Sequence, residues 1–278
     1  MNIGSMIRRN IAKIMNRAFL TKILLCLPLL LVMVTAQANS DNTNKLNIAL
    51  AANFLPAFKE IRALFEAQSG IRLIASSGST GQLYHQIRFG APHDIFLSAD
   101  QHTSQRLIKE GLAVPASYFI YAQGRLVLWS TDTSLPLDEG ELFNTYDKNK
   151  RIALANPKIA PYGKAAEELM ENINADKQWQ NNLIMGQNIS QTYQFIASGN
   201  VDLGFISLAQ LRHTQIQKQN QTQTNDNYWL VPKSLHQPIK QTAVLLANSH
   251  NKLQAKQFLD FLKTPDALTI MQRFGYEH

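Results

Sequence analysis

From residue 45 onward, short apolar runs alternate with amphipathic ones, and this alternation narrows the fold more than any other feature. Residues 45–52 are typical of a buried strand. The next run has helical spacing, with Pro56 in its first turn and Gly70 at its end. The order then repeats, and strand–helix alternation with short links predicts an α/β fold with mostly parallel sheets flanked by helices.

The alternation falls into two blocks of similar size, separated by a polar, turn-rich stretch that ends near residue 150. We expect further strands at residues 71–76, 94–98, 125–130, 151–155, 203–206, 228–231 and 242–247, and further helices at residues 80–89, 104–109, 164–173, 190–197, 208–217, 252–261 and 265–274. Two such blocks joined by strands predict two lobes around a cleft. We assign residues 39–126 and 242–278 to lobe I, and residues 127–241 to lobe II.

Residues 1–38 are predicted to be an export signal rather than part of the fold. Five basic residues precede an apolar run at residues 23–34, and Ala36 and Ala38 supply the small residues that a signal peptidase reads. The apolar run is too short for a comfortable membrane span. We therefore expect a cleaved signal peptide, a mature chain that begins near Asn39 and a periplasmic location.

Removing that segment changes the charge balance. The whole chain has 27 basic and 20 acidic residues, a net charge of +7. The export segment holds five of the basic residues and none of the acidic ones, which leaves 22 against 20, a net charge of +2. This balance gives no basic footprint for nucleic acid, so we expect no nucleic-acid partner. The only cysteine, Cys26, lies in the export segment, so the mature chain has no disulfide and no thiol chemistry.

A hydroxyl-rich run, SSGSTG at residues 76–81, follows one predicted strand and opens a helix. The first N–H groups of a helix have no intrahelical partner, and the helix dipole favours negative charge there, so this run can bind an anion. Serine and threonine are also the preferred helix caps, and the run by itself favours that interpretation. Asn53 follows the first strand and has two roles open to it: its side-chain oxygen caps the first helix, or its amide N–H points toward a ligand.

A serine from this run is also a candidate nucleophile of a secreted hydrolase. That reaction needs a general base within reach and an acid that orients it. The sequence contains no GxSxG motif, and no motif places a histidine beside the run. The seven histidines show no metal-ligand spacing with cysteines or carboxylates. We therefore expect neither an enzyme nor a protein-coordinated metal.

Three stretches together carry a family resemblance: LNIALAANFLPAFKEI at residues 46–61, SSGSTGQLYHQIRFGAPHDIFLSAD at residues 76–100 and ANPKIAPYGKAAEELM at residues 155–170. Within the second, GAPHDIFLSAD closely resembles the GAPxDxFxSAD signature of periplasmic molybdate-binding proteins, the soluble receptors of molybdate ABC importers. The C-terminal FLDFLKTPDALTIMQRFGYEH resembles the ending of this family, so the resemblance covers essentially all of the mature chain.

This resemblance implies two α/β lobes, joined by two hinge strands, that close on a tetrahedral oxyanion. The hinge strands would be RLVLWS and TAVLLA, at residues 125–130 and 242–247. The family binds its anion without a cation or cofactor, through side-chain and backbone hydrogen-bond donors. The implied partners are molybdate or tungstate and the membrane permease of an ABC importer, and the implied state is a monomer.

The ligand positions of the family carry over one residue at a time. The matching positions are Asn53 and Thr80 as side-chain donors, Ser79 beside Thr80, Ala99 and Ile189 as backbone donors, and Tyr162. Some members place a tyrosine from a later strand on the ligand, where this chain has Ser207, and the hydroxyl of Tyr162 replaces that contact. The pattern therefore resembles the branch of the family that has asparagine and tyrosine at these positions.

Neutral donors also limit the choice of anion. A protonated oxyanion such as hydrogen phosphate keeps one O–H without an acceptor in such a site, at a cost of about 1–3 kcal/mol. The site should therefore prefer fully ionised molybdate, tungstate or sulfate. Cavity size decides among these three, so a sulfate receptor is the alternative to a molybdate receptor.

Overall fold

The computed structural model describes residues 44–144, 149–218 and 227–278, and the predicted export signal lies outside these ranges. The strands are β1 (Lys45–Ala51), β2 (Arg72–Gly78), β3 (Ile95–Ser98), β4 (Phe119–Gly124), β5 (Leu126–Ser130), β6 (Ile152–Ala155), β7 (Leu183–Gly186), β8 (Leu203–Ser207), β9 (Asn227–Leu230) and β10 (Ile239–Leu245). The helices are α1 (Leu55–Ser69), α2 (Thr80–Arg88), α3 (Gln101–Lys109), α4 (Pro161–Asn172), α5 (Asp176–Trp179), α6 (Ile189–Ala197), α7 (Leu208–Lys218), α8 (Lys252–Phe261) and α9 (Pro265–Arg273). None of the helices in these ranges has the length and apolar character that a membrane crossing requires.

The strands form two five-stranded sheets, and each sheet is the centre of one lobe. The order in the first is β2-β1-β3-β10-β4, and the order in the second is β7-β6-β8-β5-β9. Strand β3 runs parallel to β1, and β6 runs parallel to β7 and β8. Strand β10 runs antiparallel to β3 and β4, and β5 runs antiparallel to β8 and β9. The two-lobed α/β class is confirmed, but the sheets are mixed rather than mostly parallel.

The antiparallel strands are the ones that begin just after the chain changes lobe. The chain leaves the first sheet at the end of β4 and enters the second as β5, with only Arg125 between them. It returns through residues 231–238, between β9 and β10. A strand that enters a sheet directly from the other lobe has no crossover helix to reverse its direction, so it is free to pair antiparallel. The expected hinge stretch RLVLWS contains β5, and TAVLLA contains the end of β10.

The two crossings are joined at the hinge. The last residue of β4, Gly124, pairs with Ile239, the first residue of β10. The first crossing is therefore held against the second by the ladder between β4 and β10. The lobe boundaries given above, at residues 126–127 and 241–242, remain a prediction.

Each lobe is built around its own apolar core. In the first lobe, Phe65 and Phe258 pack with ring centroids 5.0 Å apart, next to Leu50 of β1. In the second lobe, Trp179 and Phe205 belong to a separate buried cluster. Because burial of each such side chain contributes about 1.5–3 kcal/mol, the two clusters hold the lobes as units. The loops between strands and helices are left to line the space between the lobes.

Several element predictions shift by a few residues. Helix α1 ends, as expected, at Gly70, whose φ of 69° is in the left-handed region that glycine tolerates. Strand β2 continues to Gly78, so half of the hydroxyl-rich run is strand rather than turn. Strands β4 and β7 were not expected, because their short segments lack a clear alternation of apolar and polar residues.

Candidate functional site

The residues carried over from the family resemblance lie together around one cavity between the lobes. The lining residues are Ala51, Ala52, Asn53, Gly78, Ser79, Thr80, Ala99, Ala160, Pro161, Tyr162, Asn188 and Ile189. All six expected ligand positions are in this set, and none of the described residues that line the cavity has a charged side chain. The cavity volume is about 10 Å³, close to the smallest space that holds one water molecule.

Helix N-termini surround this cavity. Thr80, Pro161 and Ile189 are the first residues of α2, α4 and α6. Asn53 lies in the turn that leads into α1, and Ala99 lies two residues before α3. The first N–H groups of each helix lack intrahelical partners and carry partial positive charge. The arrangement concentrates positive potential on a neutral cavity and favours an anion without any cationic side chain.

Ser79 and Thr80 act as helix cap and cavity wall at the same time. The Ser79 Oγ accepts a hydrogen bond from the Gln82 N–H at 3.3 Å, and the Gln82 Oε1 accepts one from the Ser79 N–H at 3.2 Å, which is a capping box. The Thr80 Oγ1 accepts a bond from the Ala99 N–H at 3.1 Å. Each hydroxyl accepts from the backbone and keeps its own hydrogen for donation. The cap and the anion site are therefore compatible interpretations of the same residues.

The side chain of Asn53 lines the cavity, but its amide hydrogens are directed elsewhere. Its Nδ2 donates to the Gln241 Oε1 at 2.8 Å and to the Tyr276 Oη at 3.1 Å. Because the Gln241 Nε2 donates to the Ile239 carbonyl at 3.1 Å, the Gln241 oxygen must face Asn53, which fixes the orientation of both amides. Helix α1 has no side-chain cap, so the capping role considered for Asn53 is wrong.

Tyr276 is a neighbour of the site that the sequence did not indicate. Its hydroxyl donates to the Asn53 carbonyl at 2.9 Å while it accepts from the Asn53 amide. Burial raises the pKa of Tyr276, so the hydroxyl stays protonated and able to donate at neutral pH. Tyr276 and Gln241 together hold Asn53 in place.

Tyr162 reaches the cavity from the second lobe. Its side chain is only 2% exposed. The Tyr276 hydroxyl and the Asn53 amide lie beside the Tyr162 hydroxyl, but no atom of the described residues is placed to form a well-aligned hydrogen bond with it. Burial raises the pKa of Tyr162 well above its ordinary value, and the neighbouring Tyr276 and Tyr121 act in the same direction. The Tyr162 hydroxyl is therefore neutral, and its hydrogen is available for donation to a ligand.

The Ile189 N–H is positioned by the cap of α6. The Asn188 Oδ1 accepts from the N–H groups of Ser190 and Gln191, both at 3.0 Å. As the first residue of the helix, Ile189 has no intrahelical acceptor for its N–H. Its carbonyl accepts from the Gln210 Nε2 at 3.1 Å. This segment presents a backbone donor at the cavity wall.

Ser207 does not take part in the cavity. Its Oγ donates to the Gln210 Oε1 at 3.1 Å, so it supports Ile189 indirectly, through the Gln210 side chain. Ser207 is not among the lining residues of the cavity, and the absence of a ligand contact at this position stays a prediction.

The lobes touch directly at the rim of the cavity. The Gly81 N–H at the start of α2 donates to the Ile159 carbonyl in the second lobe at 2.9 Å. The Ser190 Oγ donates to the Ala52 carbonyl at 3.4 Å. These contacts, together with the small cavity, define a closed arrangement of the two lobes.

The charged residues near the cavity have structural partners. Lys164 lines a larger outer cavity of about 330 Å³ and forms an exposed ion pair with Glu167 at 2.9 Å. The Asp100 Oδ1 accepts from the Thr103 N–H at 2.7 Å and caps α3, and burial raises its pKa. Within the described ranges, no group of three or more histidine, cysteine, aspartate or glutamate side chains could hold a metal ion.

Comparisons with known proteins agree with this architecture. The family model for bacterial extracellular solute-binding proteins matches residues 46–277. The molybdate-binding protein ModA of Rhodobacter capsulatus is 43% identical over 228 residues, which cover 82% of this chain and 86% of that protein. ModA of Azotobacter vinelandii is 38% identical over 234 residues, which cover 84% of this chain and 89% of that protein.

A solved structure has the same fold. The periplasmic molybdate-binding protein of Azotobacter vinelandii matches with a TM-score of 0.78 and 34% sequence identity, over 84% of this chain and 99% of that chain. These relatives are binding proteins, so the expectation of a non-enzyme is confirmed and the hydrolase alternative is set aside. The chain belongs to the bacterial extracellular solute-binding protein family, within the group of the molybdate-binding ModA proteins.

Proposed function

We propose that this protein is a periplasmic receptor that binds molybdate, and also tungstate, and delivers it to the membrane permease of an ABC importer. The observation that carries the proposal is the neutral cavity, which lies between two lobes at the starts of several helices and has only uncharged lining residues. Membership of the ModA group supplies the identity of the anion.

The donors around the cavity suit a dianion. A buried dianion is costly to desolvate unless its oxygens are hydrogen-bonded. The hydroxyls of Ser79, Thr80 and Tyr162 and the N–H of Ile189 are the donors whose hydrogens are available. Bonds to a charged group contribute about 1.5–3 kcal/mol each, so four of them provide a large part of the affinity. Ala99 and Asn53 would join only if their N–H groups turned from their present acceptors to the anion.

The same donor set excludes protonated anions. The Ser79 and Thr80 hydroxyls each already accept a hydrogen bond from a backbone N–H, so once they donate to the anion they are poor acceptors for an O–H of the ligand. Hydrogen phosphate would therefore be disfavoured by about 1–3 kcal/mol relative to a fully ionised oxyanion. No cofactor is required, because the family binds the anion itself through neutral donors.

The cellular setting of the proposal follows from the ends of the chain and from the family. The basic and apolar residues 1–38 act as a cleaved export signal, and the mature chain acts as a monomer. Its partners are the oxyanion and the permease, and no nucleic acid is involved.

Isothermal titration calorimetry on the mature chain tests this function. Molybdate, tungstate, sulfate and phosphate are titrated separately at neutral pH. We expect molybdate and tungstate to bind with similar affinity, sulfate more weakly, and phosphate about 10- to 100-fold more weakly still. Sulfate binding equal to or tighter than molybdate binding would contradict the assignment and favour the sulfate receptor.

A pair of serine variants tests whether the heat of molybdate binding arises from binding in this cavity. Ser79→Ala removes a hydroxyl that lines the cavity, and Ser198→Ala removes an exposed hydroxyl in the loop after α6. We expect the first to weaken molybdate binding and the second to leave it unchanged. Equal affinities in both variants would place the anion elsewhere.

A further inference from the structure

Gly124 occupies a special place at the hinge. It is the last residue of β4, directly before Arg125, where the chain crosses to the second lobe, and it pairs with Ile239 at the start of β10. Gly124 is not among the glycines with positive φ, so its backbone conformation does not require glycine. Some other constraint must explain the absence of a side chain.

That constraint is the side chain of Tyr162. A Cβ atom on Gly124 would lie 2.9 Å from the Tyr162 Cζ and closer still to its Oη. The same Cβ would lie 3.1 Å from the Gln241 Nε2. Carbon atoms that are not bonded to each other gain attraction only at about 3.5–4.0 Å, so these separations are repulsive. The tyrosine hydroxyl and a side chain at position 124 cannot occupy this space together.

The close approach of Tyr162 to position 124 connects the second lobe with the hinge. Tyr162 belongs to α4 in the second lobe, while Gly124 and Gln241 belong to β4 and β10, the two strands of the first sheet that adjoin the crossings. Because Tyr162 also lines the anion cavity, its position relative to Gly124 sets where its hydroxyl lies relative to the ligand. When the Tyr162 side chain packs against Gly124, the same movement completes the wall of the cavity.

We propose that Gly124 is a positioning residue for lobe closure: the closing second lobe seats the Tyr162 hydroxyl in the space that a side chain at position 124 would fill. The proposal rests on the proposed function only for the choice of anion, since the seating itself is a contact between protein groups. Any side chain at position 124 therefore acts as a wedge that keeps the lobes apart and Tyr162 away from the anion.

The experiment combines Gly124→Ala with changes at Tyr162. Small-angle X-ray scattering of the mature protein, with and without molybdate, reports closure as a decrease in the radius of gyration, and calorimetry reports affinity. We expect Gly124→Ala to weaken molybdate binding by about 10- to 100-fold, a typical effect of overpacking, and to abolish the decrease. Thermal unfolding of the ligand-free variant should stay near that of wild type, because an alanine meets no obstacle when the lobes are apart.

Double variants at positions 124 and 162 distinguish a steric wedge from a general disruption of the fold. In the Tyr162→Phe background the hydroxyl is gone and only the 2.9 Å approach to Cζ remains, so the added effect of Gly124→Ala should shrink. In the Tyr162→Ala background, with molybdate raised until binding is saturated, the added effect should disappear, and the ligand-induced decrease in the radius of gyration should be the same with glycine or alanine at position 124. Gln123→Ala, at the preceding position of β4, is the matched control and should bind and close like wild type.

Two results would overturn the proposal. One is compaction and affinity of Gly124→Ala equal to those of wild type. The other is an unchanged penalty of Gly124→Ala in the Tyr162→Ala background, since no tyrosine atoms are left to collide with the methyl group. If wild type responds to tungstate or sulfate but not to molybdate, the proposed ligand is wrong, and the same comparison is made with the anion that binds.

Discussion

The two halves of the cavity differ in how far their donors are already used. On the first-lobe side, the Ala99 N–H donates to Thr80, and the Asn53 amide donates to Gln241 and Tyr276. On the second-lobe side, the Tyr162 hydroxyl has no hydrogen-bond partner among the described residues, and the Ile189 N–H has no intrahelical one. The first half keeps only the hydrogens of the Ser79 and Thr80 hydroxyls, which already accept backbone bonds, whereas both of these donors in the second half await an acceptor.

This difference suggests how ligand and closure are coupled. A buried hydroxyl without a partner costs about 1–3 kcal/mol, and the Tyr276 hydroxyl and the Asn53 amide beside Tyr162 offset part of this, so closing the second lobe over an empty cavity is unfavourable by less than that amount. An oxyanion supplies the missing acceptor and removes the cost. The first lobe bears a smaller cost, because the Ser79 and Thr80 hydroxyls each already accept one hydrogen bond from a backbone N–H. The following predictions test this division, from the largest expected effect to the smallest.

Ile189→Pro should have the largest effect on the second half. Proline removes the N–H, is tolerated at the first position of a helix, and follows Asn188, whose extended conformation (φ −154°, ψ 172°) suits a residue before proline. We expect molybdate affinity about 10- to 100-fold below that of Ile189→Ala, which keeps the N–H. Equal affinities of the two variants in calorimetry would mean that this N–H does not reach the anion.

Asn53→Ala should act mainly on stability. It leaves the Gln241 oxygen without the amide donor, so the free energy of unfolding of the ligand-free protein should fall by about 1–3 kcal/mol in urea denaturation. Asn172→Ala, which removes an exposed bond to the Leu235 carbonyl, is the control and should change it little. A variant with unaltered stability but weakened binding would show that the Asn53 amide turns to the anion.

Thr80→Val should weaken binding less than the loss of a second-lobe donor. The variant loses the Thr80 hydroxyl, but the Ala99 N–H, which donates a hydrogen bond to that hydroxyl in the wild type, becomes available to the anion. We expect a net loss of about 1 kcal/mol in calorimetry, and wild-type affinity for Thr80→Ser, which keeps the hydroxyl. A loss larger than that of Ile189→Pro would reverse the proposed order of the two halves.

Glu277→Gln should have the smallest effect and none on affinity. Burial acts to raise the pKa of Glu277, but hydrogen bonds from Lys233 and Arg125, together with their charges, outweigh it and hold the pKa below its ordinary value of 4.5. A carboxyl with a depressed pKa in the folded state stabilises the protein above its unfolded pKa and loses that contribution as pH falls through the folded one.

The partners of Glu277 are partly exposed, so the contribution is modest. At pH 7 we expect Glu277→Gln to lower the free energy of unfolding by at most about 1 kcal/mol. The difference from wild type should shrink as the pH falls below 4.5. A difference that grows on acidification would contradict the direction of the pKa shift.

The sequence predicted the fold and the location of the site better than the hydrogen bonds within the site. Alternating strands and helices predicted the two α/β lobes, and the family resemblance along essentially the whole mature chain indicated six residues that line one cavity. The hydrogen bonds of Asn53 were not predictable, because Gln241 and Tyr276 lie 188 and 223 residues further along the chain. No local pattern reports such contacts; they depend on how the C-terminal strand and tail pack beside the first turn.

The antiparallel strands were missed for a similar reason. The apolar character of β5 and β10 indicates burial but not direction, which is set by the route of the chain between lobes. Gly124 was overlooked because its significance is a collision with Tyr162, and sequence alone gives no distance between them.

The tightness of the cavity has a kinetic consequence. With about 10 Å³ of free volume, and with the Gly81 N–H bonded across the rim to the Ile159 carbonyl, the lobes must separate to admit an oxyanion and must separate again to release it. The dissociation rate constant is therefore limited by lobe separation, which must break the bonds from the anion to one of the two lobes. A permease that pulls the lobes apart would shorten the residence time of the ligand without competing for any of its oxygens.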